Sequence, residues 1–141
     1  YRVYTVMGDG ELAEGSVWEG AMSASHYKLD NLCAVVDRNR LQISGFTEDV
    51  MHHDDLQARF AAFGWHAVQV DGHDYDALAA AFDEAAATKG RPTVLIANTI
   101  KGCGSAIMEN KAGWHHHLPN QEEYEQIIAD FAARKESALH E

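Results

Sequence analysis

Residues 8–39 read GDGELAEGSVWEGAMSASHYKLDNLCAVVDRN, and the order of apolar and polar runs around this stretch decides the fold. One apolar run (Val3, Tyr4, Val6, Met7) leads into Gly8-Asp9-Gly10, and a second (Leu32, Cys33, Ala34, Val35, Val36) leads into Asp37-Arg38-Asn39. Between them, residues 15–27 set Val17, Trp18, Ala21, Met22 and Ala24 among the small residues Gly20, Ser23 and Ser25. That pattern predicts an amphipathic, tightly packed helix. Parallel strands joined by a crossover helix put both strand tips at one edge of the sheet. Asp9 and Asn39 therefore converge although 39 − 9 = 30 positions separate them. An anionic oxygen and a neutral amide oxygen meeting there suit a hard cation such as magnesium, which takes about six oxygens and borrows several from phosphate and water. Gly10 adds a backbone N–H expected to be open to an approaching phosphate. Singly, Gly8-Asp9-Gly10 reads as a tight turn and Asp37-Arg38-Asn39 as a loop cap. Their spacing across one strand-helix-strand unit points instead to a metal-diphosphate site.

The rest of the chain repeats the alternation. Residues 1–7 form a near-continuous apolar run, which predicts a strand buried on both faces. Residues 40–53 show no sustained period and read as a loop, with His52 and His53 at the surface. Asp54 is placed to cap a helix that runs to about Phe63 and is closed by Gly64. A third strand over 66–70 leads to Asp71-Gly72-His73-Asp74, read as a turn and helix cap rather than a metal site because no further ligand lies nearby. An alanine-rich helix over 75–88 closes at Lys89-Gly90, and Pro92 introduces a strand over 93–99 that ends in a flexible, Gly-rich loop over 100–105. Three consecutive histidines, His115, His116 and His117, precede a last helix over 121–135 and a frayed polar tail. Adjacent side chains do not converge easily on one ion. The whole is an α/β fold, an open, mainly parallel sheet with helices on both faces and its binding edge at the strand C-termini.

Composition narrows the function. The 141 residues make one domain, long enough for a real core. Eleven basic against twenty-two acidic residues give a net charge of −11, which argues against nucleic acid or an anionic membrane as partner. Phosphate binding survives that charge, since a metal and backbone amides supply positive field locally. Cys33 in an apolar strand and Cys103 in a Gly-rich loop give neither a disulfide frame nor a zinc pattern, so a reducing, cytoplasmic setting is expected. No apolar run approaches the ~20 residues that span a bilayer.

The motif Gly8-Asp9-Gly10 with Asn39, and the filling from Glu11-Leu12-Ala13-Glu14-Gly15 through Lys28-Leu29-Asp30-Asn31-Leu32, resembles transketolase. In particular it resembles the N-terminal subunit of split bacterial transketolases, which carries the diphosphate-binding domain alone. The α subunit of a 2-oxo acid dehydrogenase shares the motif, and deoxyxylulose phosphate synthase is a further relative. From another class, a non-catalytic phosphate- or nucleotide-binding module would also carry such a site. The transketolase resemblance implies thiamin diphosphate and Mg2+ as cofactors, with Ca2+ or Mn2+ as substitutes. Asp9 and Asn39 would bind the metal through their side chains and Leu41 through its backbone carbonyl. Gly8 and Gly10 would lie at the cofactor. Apart from the resemblance, Lys101 follows a strand into a Gly-rich loop at the binding edge, where it is placed to meet a phosphate or substrate oxygen, against the plainer reading of an exposed loop lysine. Ile43 would pack against the thiazolium ring or simply fill the loop. Ser44 stands where an aspartate is usual. Glu14 sits near the positive end of a helix dipole, and by resemblance at a subunit interface near the cofactor. His115 matches a histidine that reaches the active site from a Trp-His-Gly sequence, although His116 here replaces the glycine.

The resemblance also implies a partner, the C-terminal subunit with the pyrimidine-binding domain and the activating glutamate, in a heterotetramer of two pairs acting on sugar phosphates. This chain alone is expected to bind the cofactor weakly and turn over nothing. Tyr1 opens directly into a strand, whereas in the family this motif lies well inside the subunit, so the intact subunit is expected to be considerably longer.

Overall fold

In a computed structural model, which describes residues 1–53 and 55–139, the two apolar runs flanking the motif lie side by side as parallel strands. They are β1 (Val3–Gly8) and β2 (Leu32–Arg38), and the crossover between them is a 3-10 turn (Asp9–Ala13) followed by helix α1 (Gly15–His26). Two further strands, β5 (His66–Asp71) and β6 (Thr93–Asn98), complete a sheet of order β1-β2-β6-β5 in which every pairing is parallel. Helix α3 (Leu56–Ala62) enters β5, and α4 (Tyr75–Ala87) links β5 to β6. Helix α5 (Gln121–Ala138) follows the last loop and ends three residues beyond the sequence expectation.

Alternate residues of the two central strands feed opposite faces, which is why both read as unbroken apolar runs. Ala34, Val36, Val94 and Ile96 pack with Leu12, Ala21, Ala24, Leu56, Phe60 and Trp65 on one face. Cys33 and Leu95 pack with Ala81 and Ala85 of α4 on the other. The first face is held by an aromatic stack: Phe60 lies 5.1 Å from Trp18 and 5.5 Å from Trp65, centroid to centroid. Both indoles are satisfied, Trp18 Nε1 donating to the Leu12 carbonyl at 2.8 Å and Trp65 Nε1 to the Ala21 carbonyl at 2.9 Å. Cys33 behaves as a small buried hydrophobe whose thiol burial holds protonated, with a raised pKa.

Three expectations fail here. Strand β1 is not buried on both faces: it is an edge strand, and Tyr4 and Val6 remain 53% and 72% exposed, with the Phe82 ring of α4 edge-on to Tyr4. Residues 40–53 are not an unstructured loop. They fold into a two-residue hairpin, β3 (Leu41–Gln42) against β4 (Gly45–Phe46), then a single helical turn, α2 (Thr47–Val50). Gly45 makes the hairpin possible, since its φ of +143° is one that other residues avoid. The histidine pair divides: His52 is exposed and pairs with Glu48, while His53 is buried at 3% exposure. Asp54 lies outside the described residues, and the cap of α3 is Asp55, whose carboxylate accepts from Ala58 N–H at 3.0 Å.

Burial lowers the pKa of His53, with the Arg59 charge adding to the effect. Below about pH 6.5 the unfolded chain takes up a proton that folded His53 resists, so the stability tied to its neutral form is present above 6.5 and lost as pH falls. Thermal melts from pH 8 to pH 5 should therefore fall more steeply for the wild type than for His53→Gln. Parallel curves would contradict this assignment.

Candidate functional site

The register pairs Gly8 with Asp37, so the tips of β1 and β2 end at the same level. Asp9, at the first position beyond β1, is buried at 2% exposure, and its carboxylate stitches the two tips together. Its Oδ1 accepts from Gly10 N–H at 2.9 Å and its Oδ2 from Arg40 N–H at 2.6 Å. Arg40 turns that N–H back by adopting φ +64°, an unusual left-handed conformation for a residue other than glycine. Asn39 Oδ1 accepts from Leu41 N–H at 2.9 Å. Burial pushes the Asp9 pKa up, and the Arg40 and Gly10 amides pull it part of the way back. A carboxylate held in so little water gains from a cation beside it.

Asp9 and Asn39 line one cavity of about 440 Å³ together with Gly8, Gly10, Leu41, Ile43, Lys101 and His115. Every site residue read from the sequence is there except Glu14. Glu14 is exposed at the joint between the 3-10 turn and α1, where it occupies the helix cap position. Leu41 is buried in the hairpin, paired with Phe46, while the Ile43 side chain stands 63% exposed at the hairpin tip. His115 closes a 3-10 turn (Ala112–His115); desolvation, then the charges of Lys101 and His116, lower its pKa. The other histidines of the run serve the loop. His116 packs edge-on to His115, and His117 hydrogen-bonds Glu123 at 2.8 Å with its ring against Trp114.

One expectation about Gly10 is corrected. Its N–H is not open to phosphate, because it is spent on the neighbouring Asp9 carboxylate. Its lack of a side chain still matters, since a Cβ there would lie 3.0 Å from the Gln42 Cβ. The loop over 100–105, expected to be flexible, is pinned to α5: Ser105 is fully buried and donates from Oγ to Asp130 at 2.8 Å. The capping reading of 71–74 holds, Asp74 accepting from Ala77 N–H at 2.9 Å. His73 takes a role no local signal announces, accepting the Ile100 N–H on Nε2 at 2.8 Å just before Lys101.

Gln42 was also missed by sequence reasoning. It lines the cavity, and its Oε1 is a buried acceptor with no partner among the described residues. The side-chain oxygens at this edge thus include the Asp9 carboxylate and two amides, Asn39 and Gln42, the chemistry of a hard cation. Among the described residues no group of three His, Cys, Asp or Glu side chains could hold a metal, so the cation would complete its shell from ligand and water oxygens. A larger cavity of about 740 Å³ adjoins on the other side of Asn39, bordered by Arg38, His73 and Arg134, but neither Asp9 nor Gly10 lines it. The smaller one gathers the candidate residues read from the sequence.

A parallel sheet with an oxygen-rich cleft beyond the carboxyl ends of its strands defines an α/β ligand-binding domain. Residues 1–136 match the thiamine diphosphate binding domain of transketolase, and the chain belongs to that family. It is 44% identical over 136 residues to an apulose-4-phosphate transketolase subunit from Phocaeicola vulgatus, covering 96% of this chain and 48% of that protein. It is 38% identical over 128 residues to SqwG, a 6-deoxy-6-sulfo-D-fructose transketolase subunit from Clostridium sp., covering 91% and 46%. A crystal structure of a transketolase variant from Pichia stipitis superimposes with a TM-score of 0.85 at 35% identity, over 92% of this chain and 19% of that one. The chain spans about half the length of these two subunits.

Proposed function

We propose that this chain forms the diphosphate side of a two-chain transketolase, which moves a two-carbon ketol unit from a ketose phosphate to an aldose phosphate. The gathering of Asp9, Asn39, Leu41, Lys101 and His115 around one cavity, from four separate segments, carries the reading. Asp9 and Asn39 would hold Mg2+ through side-chain oxygens and Leu41 through its carbonyl, with Ca2+ or Mn2+ as substitutes. Gly8 and Gly10 let the diphosphate come close to the strand tip. Ile43, exposed at the hairpin tip, offers an apolar surface to the thiazolium. Bound thiamin diphosphate supplies the nucleophilic carbon on which the ketose carbon–carbon bond is broken and the two-carbon unit carried.

Lys101 places a positive charge at the cavity, and His115 offers an imidazole that donates to, or accepts from, a substrate hydroxyl. Glu14 is assigned to the contact with a partner chain, for which its exposed position leaves it available. The partner is a second subunit with the pyrimidine-binding domain, in an assembly of two pairs; names of relatives as transketolase subunits support a divided enzyme. A cytoplasmic setting fits two unpaired cysteines, and among the described residues no helix is long and apolar enough to cross a membrane.

The test is transfer of a labelled two-carbon unit between sugar phosphates by the intact subunit mixed with its partner. Transfer should require both chains, thiamin diphosphate and Mg2+; transfer without this subunit would remove it from the reaction. The lowered pKa of His115 adds a pH signature. Its neutral form persists at pH 7 and is lost only as pH falls through a value below 6.5. The acid limb of kcat/KM should therefore lie below pH 6.5 in the wild type and be absent in His115→Gln. An identical limb in both would take His115 out of the proton chemistry.

A further inference from the structure

Asn39 is the first residue beyond β2, two positions after Asp37, and Thr99 is the first residue beyond β6, so both follow directly on the last pair of the β2–β6 register, Arg38 with Asn98. The backbones stay joined there, Thr99 N–H donating to the Arg38 carbonyl at 3.1 Å. The Asp37 carboxylate then meets two donors at one oxygen. Thr99 Oγ1 donates a hydrogen bond to Asp37 Oδ1, and Asn39 Nδ2 faces the same Oδ1 at 3.4 Å. An asparagine amide has a donor end and an acceptor end, and whatever takes the donor end decides where the acceptor points. Asp37 takes the donor end, which leaves Asn39 Oδ1 on the side of Leu41 N–H and of the cavity shared with Asp9.

We infer that Asp37, clamped by the Thr99 hydroxyl, is a positioning residue that fixes the Asn39 amide with its oxygen toward the cation. This rests on the metal-site reading above and adds a device to it. The arrangement is built at the ends of two neighbouring strands: β2 supplies the orienting group, the residue just beyond β2 the proposed ligand, and the residue just beyond β6 the hydroxyl that holds the orienting group still. Groups that orient metal ligands typically affect metal affinity about 10–100-fold when removed.

Position can be separated from charge by the choice of variant. Asp37→Asn keeps an acceptor oxygen for Thr99 and Asn39 but removes the negative charge; Asp37→Ala removes both. Thr99→Val removes the clamp at nearly constant shape and leaves the charge. The measurement is calorimetric titration of Mg2+ into the intact subunit paired with its partner and holding thiamin diphosphate, with melting curves to confirm that each variant folds. Asp37→Ala should weaken Mg2+ binding by about 10–100-fold, Thr99→Val by up to about tenfold, and Asp37→Asn by no more than about threefold. Equal losses in Asp37→Asn and Asp37→Ala would make Asp37 a charge rather than a positioner and overturn the inference. So would wild-type affinity in Asp37→Ala alongside lost affinity in Asn39→Ala. If Asn39→Ala itself binds Mg2+ like the wild type, the metal-site reading falls and this inference falls with it.

Discussion

Asp9→Ala should reduce Mg2+-dependent binding of thiamin diphosphate by at least about 100-fold in the assembled protein, more than is typical for removing a group behind the ligands. The expectation rests on burial. Asp9 is 2% exposed, its charge is stabilised by the Arg40 and Gly10 amides, and it is the one carboxylate among the residues proposed to ligate the metal. Asn39→Ala should produce a similar loss, because it removes the second side-chain oxygen and the bond to Leu41 N–H that shapes the start of the hairpin. Isothermal titration of thiamin diphosphate with and without Mg2+ reads both variants. Unchanged affinity in both would reduce Asp9 and Asn39 to a turn and a cap.

The second large effect belongs to the scaffold. Phe60→Ala should lower the unfolding free energy by about 3–5 kcal/mol, the usual range for truncating a fully buried aromatic ring. Phe60 is 1% exposed between Trp18 and Trp65, and both indoles are tied by their N–H groups to backbone carbonyls. They have little freedom to collapse into the space left behind. Phe60→Leu retains most of the volume and should lose less. Denaturant unfolding measures both, and a loss under about 1 kcal/mol for Phe60→Ala would show that the aromatic stack is not where this face of the sheet is held.

The placement of Asp9 and Asn39 was readable before any coordinates because it depends on topology alone: two apolar runs, one helix between them, a polar residue at each tip. Lys101 was legible through its place in a Gly-rich loop at the end of a strand, and His115 only through family resemblance, since three adjacent histidines carry no local pattern that points one of them inward. The burial of β1 was misread because an edge strand and a central strand share the same apolar run, and only the order β1-β2-β6-β5 tells them apart. The hairpin around Ile43 was invisible for a different reason. Two residues on each side are too few to show a period, and Gly45 was its single chemical sign. His53 is buried as one residue between an exposed neighbour and the cap of α3, and no periodicity exists over one position. Gly10 shows how local competition defeats a motif: the adjacent carboxylate claims the amide that the sequence offered to phosphate. Gln42 faces the cavity only because the hairpin folds back, so its orphaned oxygen could be found only in three dimensions.

The oxygen-rich edge formed by Asp9 and Asn39 is expected to bind a diphosphate through a divalent cation and to prefer thiamin diphosphate. Calorimetric titration of the intact subunit with its partner tests it most directly, using thiamin diphosphate and adenosine diphosphate in turn, each with Mg2+ and with chelator. Thiamin diphosphate should bind saturably and lose that binding with chelator, and adenosine diphosphate should not bind under either condition. Binding of the nucleotide at comparable affinity, or of thiamin diphosphate regardless of metal, would contradict that expectation.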